Sequence, residues 1–228
     1  MAKSMLSFTL SVLLLSYSPC SSFNSLTSRS KINSRLSGHG SLLNYELELI
    51  ELFNRTRPSV VFVSTLSTVF NPFMMNVLEI PSQTGSGFVW DPSGHVVTNY
   101  HVLGMSSQTG AASAEYMVSF LSEDGGREGV KATVKGFDAD KDVAVLKLQS
   151  LPVSQRLKCI EVGSSDSLRV GQLALAIGNP FGLDQTLTTG VVSGLGRQVM
   201  APNRRTIYNM IQTDAAVILY LHTPSAFS

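Results

Sequence analysis

Thr98-Asn99-Tyr100-His101-Val102 is the stretch on which the fold turns. It follows an apolar strand, residues 94–97, and opens into a Gly/Ser-rich segment, residues 104–110. A histidine where a buried strand meets a loop is well placed for proton transfer, because the scaffold fixes it while its ring reaches a cleft. Taken alone, such a residue more often reads as a packed or surface histidine. Two later stretches change the weighting. Asp138-Ala139-Asp140-Lys141-Asp142-Val143-Ala144-Val145-Leu146 sets an acid directly before an apolar strand. Ala176-Ile177-Gly178-Asn179-Pro180-Phe181-Gly182 follows another strand.

Working outward, Gly85-Ser86-Gly87-Phe88-Val89-Trp90 leads through Asp91-Pro92-Ser93-Gly94 into the quoted stretch. This is a hairpin signature: Pro92 presets one turn position and Gly94 can take positive φ. Gly85 and Gly87 would let backbones approach closely at a barrel corner. A phosphate-binding loop is a poor alternative, since no Lys follows and no helix opens there. Further strands are expected over residues 59–69, 116–121, 130–137 and 143–148, and then over 173–177 and 186–192. Residues 156–162 read as a linker passing into a strand. Strands at regular spacing, joined by turn residues and without long helices, predict an all-β barrel architecture. One short amphipathic helix is expected over residues 46–53, ended by Pro58.

In that order the three stretches resemble the Deg/HtrA (protease Do-like) family of trypsin-like serine proteases. The resemblance runs over about residues 51–216, and its wording is most like the plant plastid Deg proteases. It implies a chymotrypsin/trypsin-like double β-barrel, with the first barrel complete and the second incomplete in this chain. It implies His101 as general base and Asp142 as the acid that orients its ring, in an ATP-independent endopeptidase of damaged or unfolded proteins that needs no cofactor. A carboxylate there fixes the imidazole tautomer and stabilises the imidazolium. Residues before the first barrel, with Phe70, Phe73, Met74 and Met75, suit either local packing or a subunit contact in a homo- or hetero-trimer of Deg subunits.

Gln212-Thr213-Asp214-Ala215-Ala216 matches the approach to the family's nucleophile. The family continues with Gly-Asn-Ser-Gly-Gly, whose Ser attacks the carbonyl and whose backbone N–H groups form the oxyanion hole. This sequence departs there and reads Val217-Ile218-Leu219-Tyr220-Leu221-His222-Thr223-Pro224-Ser225-Ala226-Phe227-Ser228. Aligned on residues 213–216, the nucleophile position holds His222. Ser225 sits between Pro224 and Ala226, without the glycines a sharp turn needs. The chain is therefore expected to be truncated relative to the family and inactive as written. The alternative is a catalytically dead form that associates with Deg subunits or unfolded proteins.

Charge narrows the choice of partners. Seventeen Lys and Arg against sixteen Asp and Glu give a net charge of +1, with no basic stripe, which argues against nucleic acid. Asp138, Asp140 and Asp142 alternate, but the Gly and distal Glu of a calcium loop are missing. His95, His101 and His222 match no metal-ligand spacing, so no metal is expected. Of the two cysteines, Cys20 lies in the N-terminal segment and Cys159 reads as a small apolar filler, with a reactive thiol as the alternative.

Residues 1–44 contain no Asp or Glu, are rich in Ser, and carry Lys3, Arg29, Lys31 and Arg35. That composition predicts a cleaved transit segment. The apolar run of residues 5–15 is too short to span a bilayer, so no transmembrane span is expected. The destination implied is the chloroplast, with the thylakoid lumen among its compartments. A secretory signal is the alternative. The expected organisation is targeting segment 1–44, partial protease domain 45–216 and divergent tail 217–228.

Overall fold

A computed structural model of the chain describes residues 13–16, 42–71, 76–104, 115–121, 125–152, 157–179, 185–200 and 206–216. The tail with His222 and Ser225, the residues Phe73, Met74 and Met75, and Cys20 lie outside the described residues.

Among the described residues ten strands carry the fold: β1 Leu13–Ser16, β2 Val60–Asn71, β3 Asn76–Val89, β4 His95–Thr98, β5 Glu115–Leu121, β6 Arg127–Asp138, β7 Val143–Leu148, β8 Leu173–Gly178, β9 Thr186–Met200 and β10 Thr206–Thr213. Strands β2-β3-β4-β7-β6-β5 close into a barrel, and β1-β8-β9-β10 form a separate antiparallel sheet. The single helix among the described residues, α1 Asn44–Thr56, runs into a short 3-10 turn, Arg57–Ser59, where Pro58 stops it. It is not long and apolar enough to cross a membrane.

The barrel forms because its strands alternate. In β5 and β7 every second residue is buried, as a pleated sheet with one face on a core demands. Those inward residues make one continuous apolar cluster that includes Val63, Val96, Val118, Phe120, Ala144 and Leu146, all at 2 % exposure or less. Gly85 and Gly87 serve the expected close approach. A Cβ at Gly85 would lie 2.5 Å from the Val102 side chain, and one at Gly87 would lie 2.8 Å from the Val97 carbonyl oxygen. Gly94 takes φ +89° in the hairpin turn, as its position required.

Three features depart from the sequence reading. Residues 157–164 form no strand; the segment is held by one backbone bond from Ile160 N–H to the Val89 carbonyl. Strand β9 continues eight residues past Val192, to Met200, and pairs with β10 as a long hairpin. And residues 13–16, where no strand was expected, form β1 and pair with β8, Leu13 opposite Ile177 and Ser16 opposite Ala174.

Candidate active site

The register of β4 against β7 sets Thr98 opposite Ala144. The chain leaving β4 therefore meets the chain entering β7, and residues 41 apart in sequence become neighbours. A 3-10 turn over Tyr100–Leu103 carries His101. Its two following residues, Val102 and Leu103, are buried at 1 % exposure and fix the turn to the core. Gly104 closes it at φ +62°, donating its N–H to the His101 carbonyl, and Thr65 Oγ1 donates to the Val102 carbonyl at 2.6 Å. The histidine thus projects from an anchored turn.

Asp142 heads β7 in a left-handed conformation, φ +54°, which few residues besides Gly, Asn and Asp adopt readily. Its carboxylate is 4 % exposed and takes three donors. The His101 backbone N–H donates to Oδ1 at 2.9 Å, the His101 ring faces Oδ2 through Nδ1 at 2.8 Å, and Asn99 Nδ2 donates to Oδ2 at 3.0 Å. A carboxylate only accepts, so a proton belongs on Nδ1, and in the neutral ring Nε2 then keeps its lone pair. With the His101 side chain 26 % exposed, that lone pair can take a proton from a group in the cleft. Asn99, which the sequence reading passed over, lies two residues before His101 in the very stretch quoted; the signal was its place, one residue past the strand end.

A second histidine–carboxylate pair lies in the β3–β4 turn. His95 Nδ1 is 2.6 Å from Asp91 Oδ2, and His95 N–H also donates to Asp91 Oδ1. Partial burial raises the Asp91 carboxyl, but the bonds from His95 and Ser93 outweigh it and hold it below the ordinary carboxylate value. Both side chains are 32 % exposed. The shorter contact is thus the more solvated one, and burial of the acid, not contact length, sets His101 apart. Cys159 packs against the barrel core, and burial followed by the Asp91 charge pushes its thiol up, away from thiolate reactivity.

In the acidic turn before Asp142, Lys141 offsets one of the two acids. Asp138 pairs with Lys141 at 2.5 Å and accepts the N–H groups of Asp140 and Lys141; the Lys141 bond, against a small burial cost, lowers its carboxyl. No group of His, Cys, Asp and Glu among the described residues could hold a metal ion.

The sheet side of the site is tied down at two places. Asn179 N–H donates to Ser86 Oγ at 2.8 Å, and the Ser86 carbonyl accepts Thr98 Oγ1, so the end of β8 is joined to the end of β4. Asp214 Oδ1 accepts Val191 N–H at 2.7 Å, and Thr188 Oγ1 donates to the Ala216 carbonyl. Gly190 makes this possible: a Cβ there would lie 2.3 Å from Ala215 N and 2.4 Å from Asp214 Oδ1. Residues 213–216 are therefore pinned across β9. The position of His222 lies beyond them, outside the described residues.

Comparison with known proteins agrees with this geometry. A family model for the trypsin-like peptidase domain matches residues 85–218. Protease Do-like 1, chloroplastic, from Arabidopsis thaliana is 46% identical over 173 residues, covering 75% of this chain and 36% of that protein. Protease Do-like 8, chloroplastic, from the same plant is 42% identical over 180 residues, covering 78% of this chain and 40% of the relative. The crystal structure of Deg5 superposes with a TM-score of 0.64 at 39% identity, covering 78% of each chain. The chain thus spans well under half the length of the two curated relatives.

Proposed function

The chain belongs to the trypsin-like peptidase family, in its Deg/HtrA (protease Do-like) branch, and we propose that it is built for serine-type endopeptidase chemistry with His101 as general base and Asp142 as its orienting acid. The observation that carries this is the 2.8 Å contact between His101 Nδ1 and the buried Asp142 carboxylate, with Nε2 left to accept a proton. In that chemistry Nε2 takes the proton of an attacking hydroxyl and returns it to the leaving amine. The carboxylate holds the ring and balances the imidazolium that forms between the two steps.

The nucleophile belongs at position 222, where this sequence has His222 in place of the family's Ser. The Gly-Asn-Ser-Gly-Gly run that would also supply oxyanion donors is missing from the sequence. The chain as written is accordingly inactive. Its substrates, by relation to the family, are unfolded or damaged proteins. Its assembly is a trimer with like or related subunits, and its location is the chloroplast, after loss of residues 1–44, which would remove β1 and open the edge of β8. Residues 45–216 form the protease domain and residues 217–228 a divergent tail.

The test is hydrolysis of unfolded casein by the purified chain beside His101→Ala. Removing a triad nucleophile costs about a million-fold in turnover, so the two proteins should be indistinguishable. Cleavage that disappears with His101→Ala would overturn the inactive reading, and Ser225→Ala would then identify the attacking group. A second reading, binding of Deg subunits or unfolded chains without cleavage, is favoured by the outer edge of β10, which pairs with no described strand. Casein that co-elutes intact with the chain in gel filtration would support it.

A further inference from the structure

We propose that Asn99 is a positioning residue for the His101–Asp142 pair: its side-chain amide holds Asp142 in a left-handed backbone conformation and aims the carboxylate at the ring. This rests on the reading of that pair as base and orienting acid. Asn99 is fully buried at 0 % exposure, in extended backbone between β4 and the 3-10 turn. Its Nδ2 lies 3.0 Å from the Asp142 backbone carbonyl and 3.0 Å from Asp142 Oδ2. The orientation of the amide is not in doubt chemically, because the reverse orientation would set its oxygen against two acceptors.

The two bonds do different work. The one to the carbonyl ties down the Asp142 backbone, which at φ +54° needs support from its surroundings. The other, to Oδ2, fixes the rotation of the carboxylate. With Oδ1 held by the His101 backbone N–H, the carboxylate plane is set at both ends, and Oδ2 can only face Nδ1. Both bonds come from a single nitrogen, so the position requires two protons on one atom. Ser and Thr carry one. Asp has the same shape as Asn but would place a third and fourth carboxylate oxygen against Asp142. All three residues, Asn99, His101 and Asp142, come from the closed barrel and its turns.

The experiment is a ¹⁵N–¹H imidazole spectrum of the full chain. The four histidines are labelled, and His101→Gln identifies the His101 signals. In the unaltered chain, neutral His101 should show one tautomer, protonated at Nδ1, with a slowly exchanging Nδ1 proton. In Asn99→Ala that proton signal should be lost to solvent exchange and the ring nitrogens should shift toward the average of two tautomers. Asn99→Ser, with one donor, should fall between, and Asn99→Asp should be at least as disordered as Asn99→Ala. The His95 signals, whose partner is Asp91, should not move in any of them. Unchanged His101 signals in a folded Asn99→Ala chain would overturn the proposal.

Should the variants fail to fold, the unaltered chain still decides. Both Asn99 amide protons should exchange far more slowly than those of a surface asparagine, and surface-like exchange overturns the role. Cleavage plays no part in this readout, so an inactive chain leaves it intact. An unaltered chain in which His101 is not fixed as the Nδ1–H tautomer would instead defeat the base assignment itself.

Discussion

The closed barrel and the open sheet start in the same way and end differently. Strands β2, β3 and β4 follow one another antiparallel, as do β8, β9 and β10. In the barrel, β5 covers the outer edge of β2 and β7 covers the outer edge of β4. In the sheet, β1 takes the place on β8 that corresponds to β5, and no described strand takes the place on β10 that corresponds to β7. Among the described residues the barrel core forms one cluster of fourteen, and the sheet also buries residues of its own, with Leu175 and Ile177 of β8 at 0 % exposure. His101 and Asp142 sit wholly on the closed side, and residues 212–216 sit on the open one. A strand meander alone can orient a segment, whereas the His101–Asp142 contact has the closed core behind it.

The largest separation of the two regions should come from their cores. Phe120→Ala removes a ring that is 2 % exposed in the barrel cluster and should cost about 3–5 kcal/mol. Ile207→Ala removes a side chain that is 3 % exposed but packs in a two-residue cluster with Met210, and should cost about 2 kcal/mol, the lower end for such a change. Denaturant unfolding followed by Trp90 fluorescence checks the barrel change, and hydrogen exchange of the β10 amides checks Ile207→Ala. Equal costs would mean the sheet is as well packed as the barrel.

Next comes a pair of glycines. Gly85 and Gly190 each lie behind one half of the site, and overpacking changes of this kind cost about 1–3 kcal/mol. A Cβ at Gly85 would meet the side chain of Val102, while one at Gly190 would meet the backbone of Ala215. Gly190→Ala should therefore release residues 214–216 and speed hydrogen exchange at Val191, whose N–H bonds Asp214, without lowering the barrel's stability. Loss of barrel stability in Gly190→Ala would join the two regions into one cooperative unit.

What could be read in the sequence divides along the same line. The barrel was legible because alternation, turn glycines and the stretch around His101 all point to one answer. The β9–β10 hairpin was not. The sequence reading ended the strand at residue 192, before Ser193-Gly194-Leu195-Gly196-Arg197, yet the strand runs through that stretch, with Gly196 at φ +64° and several register shifts against β10. A Cβ at Gly194 would lie 2.6 Å from Arg197 Nε, so the glycine makes room for a side chain within the strand. The β1 pairing left no trace either, because the composition of residues 1–44 carries a targeting signal, not a register. Asn99 was hidden for another reason: its value depends on the carbonyl of Asp142, a backbone atom that no sequence pattern displays.

A smaller effect tests β1 directly. Deleting residues 1–16 exposes the edge of β8 over Ala174–Ile177 and should lower protection of those amides by about tenfold, or ~1.4 kcal/mol, the worth of about one or two net hydrogen bonds. Amides of β4 and β7 should not change. Unaltered protection in β8 would show that the edge is covered by something other than β1.

The smallest effect concerns the exposed pair, and it separates the two histidine–carboxylate contacts by pH. The Asp91 carboxyl is held below its ordinary value, with partial burial opposing and the bonds from His95 and Ser93 prevailing. A carboxylate depressed on folding stabilises the folded state above its unfolded pKa of about 3.9, and that contribution is lost as pH falls through the lower folded value. Asp91→Asn should therefore be slightly less stable than the unaltered chain at and above pH ~5, and the two should converge as pH falls below ~4. The exposure of both partners keeps the difference within the range of surface pairs and makes it shrink with added salt. The turn geometry gives the same sign by another route, since His95 N–H donates to Asp91 Oδ1 and the hairpin loses that charged acceptor on substitution. Denaturant midpoints at several pH values and two salt concentrations check it. A difference that grows toward acid would mean that Asp91 is strained, not stabilised, by its pairing, and the contrast drawn here between a solvated contact and a buried one would lose its basis.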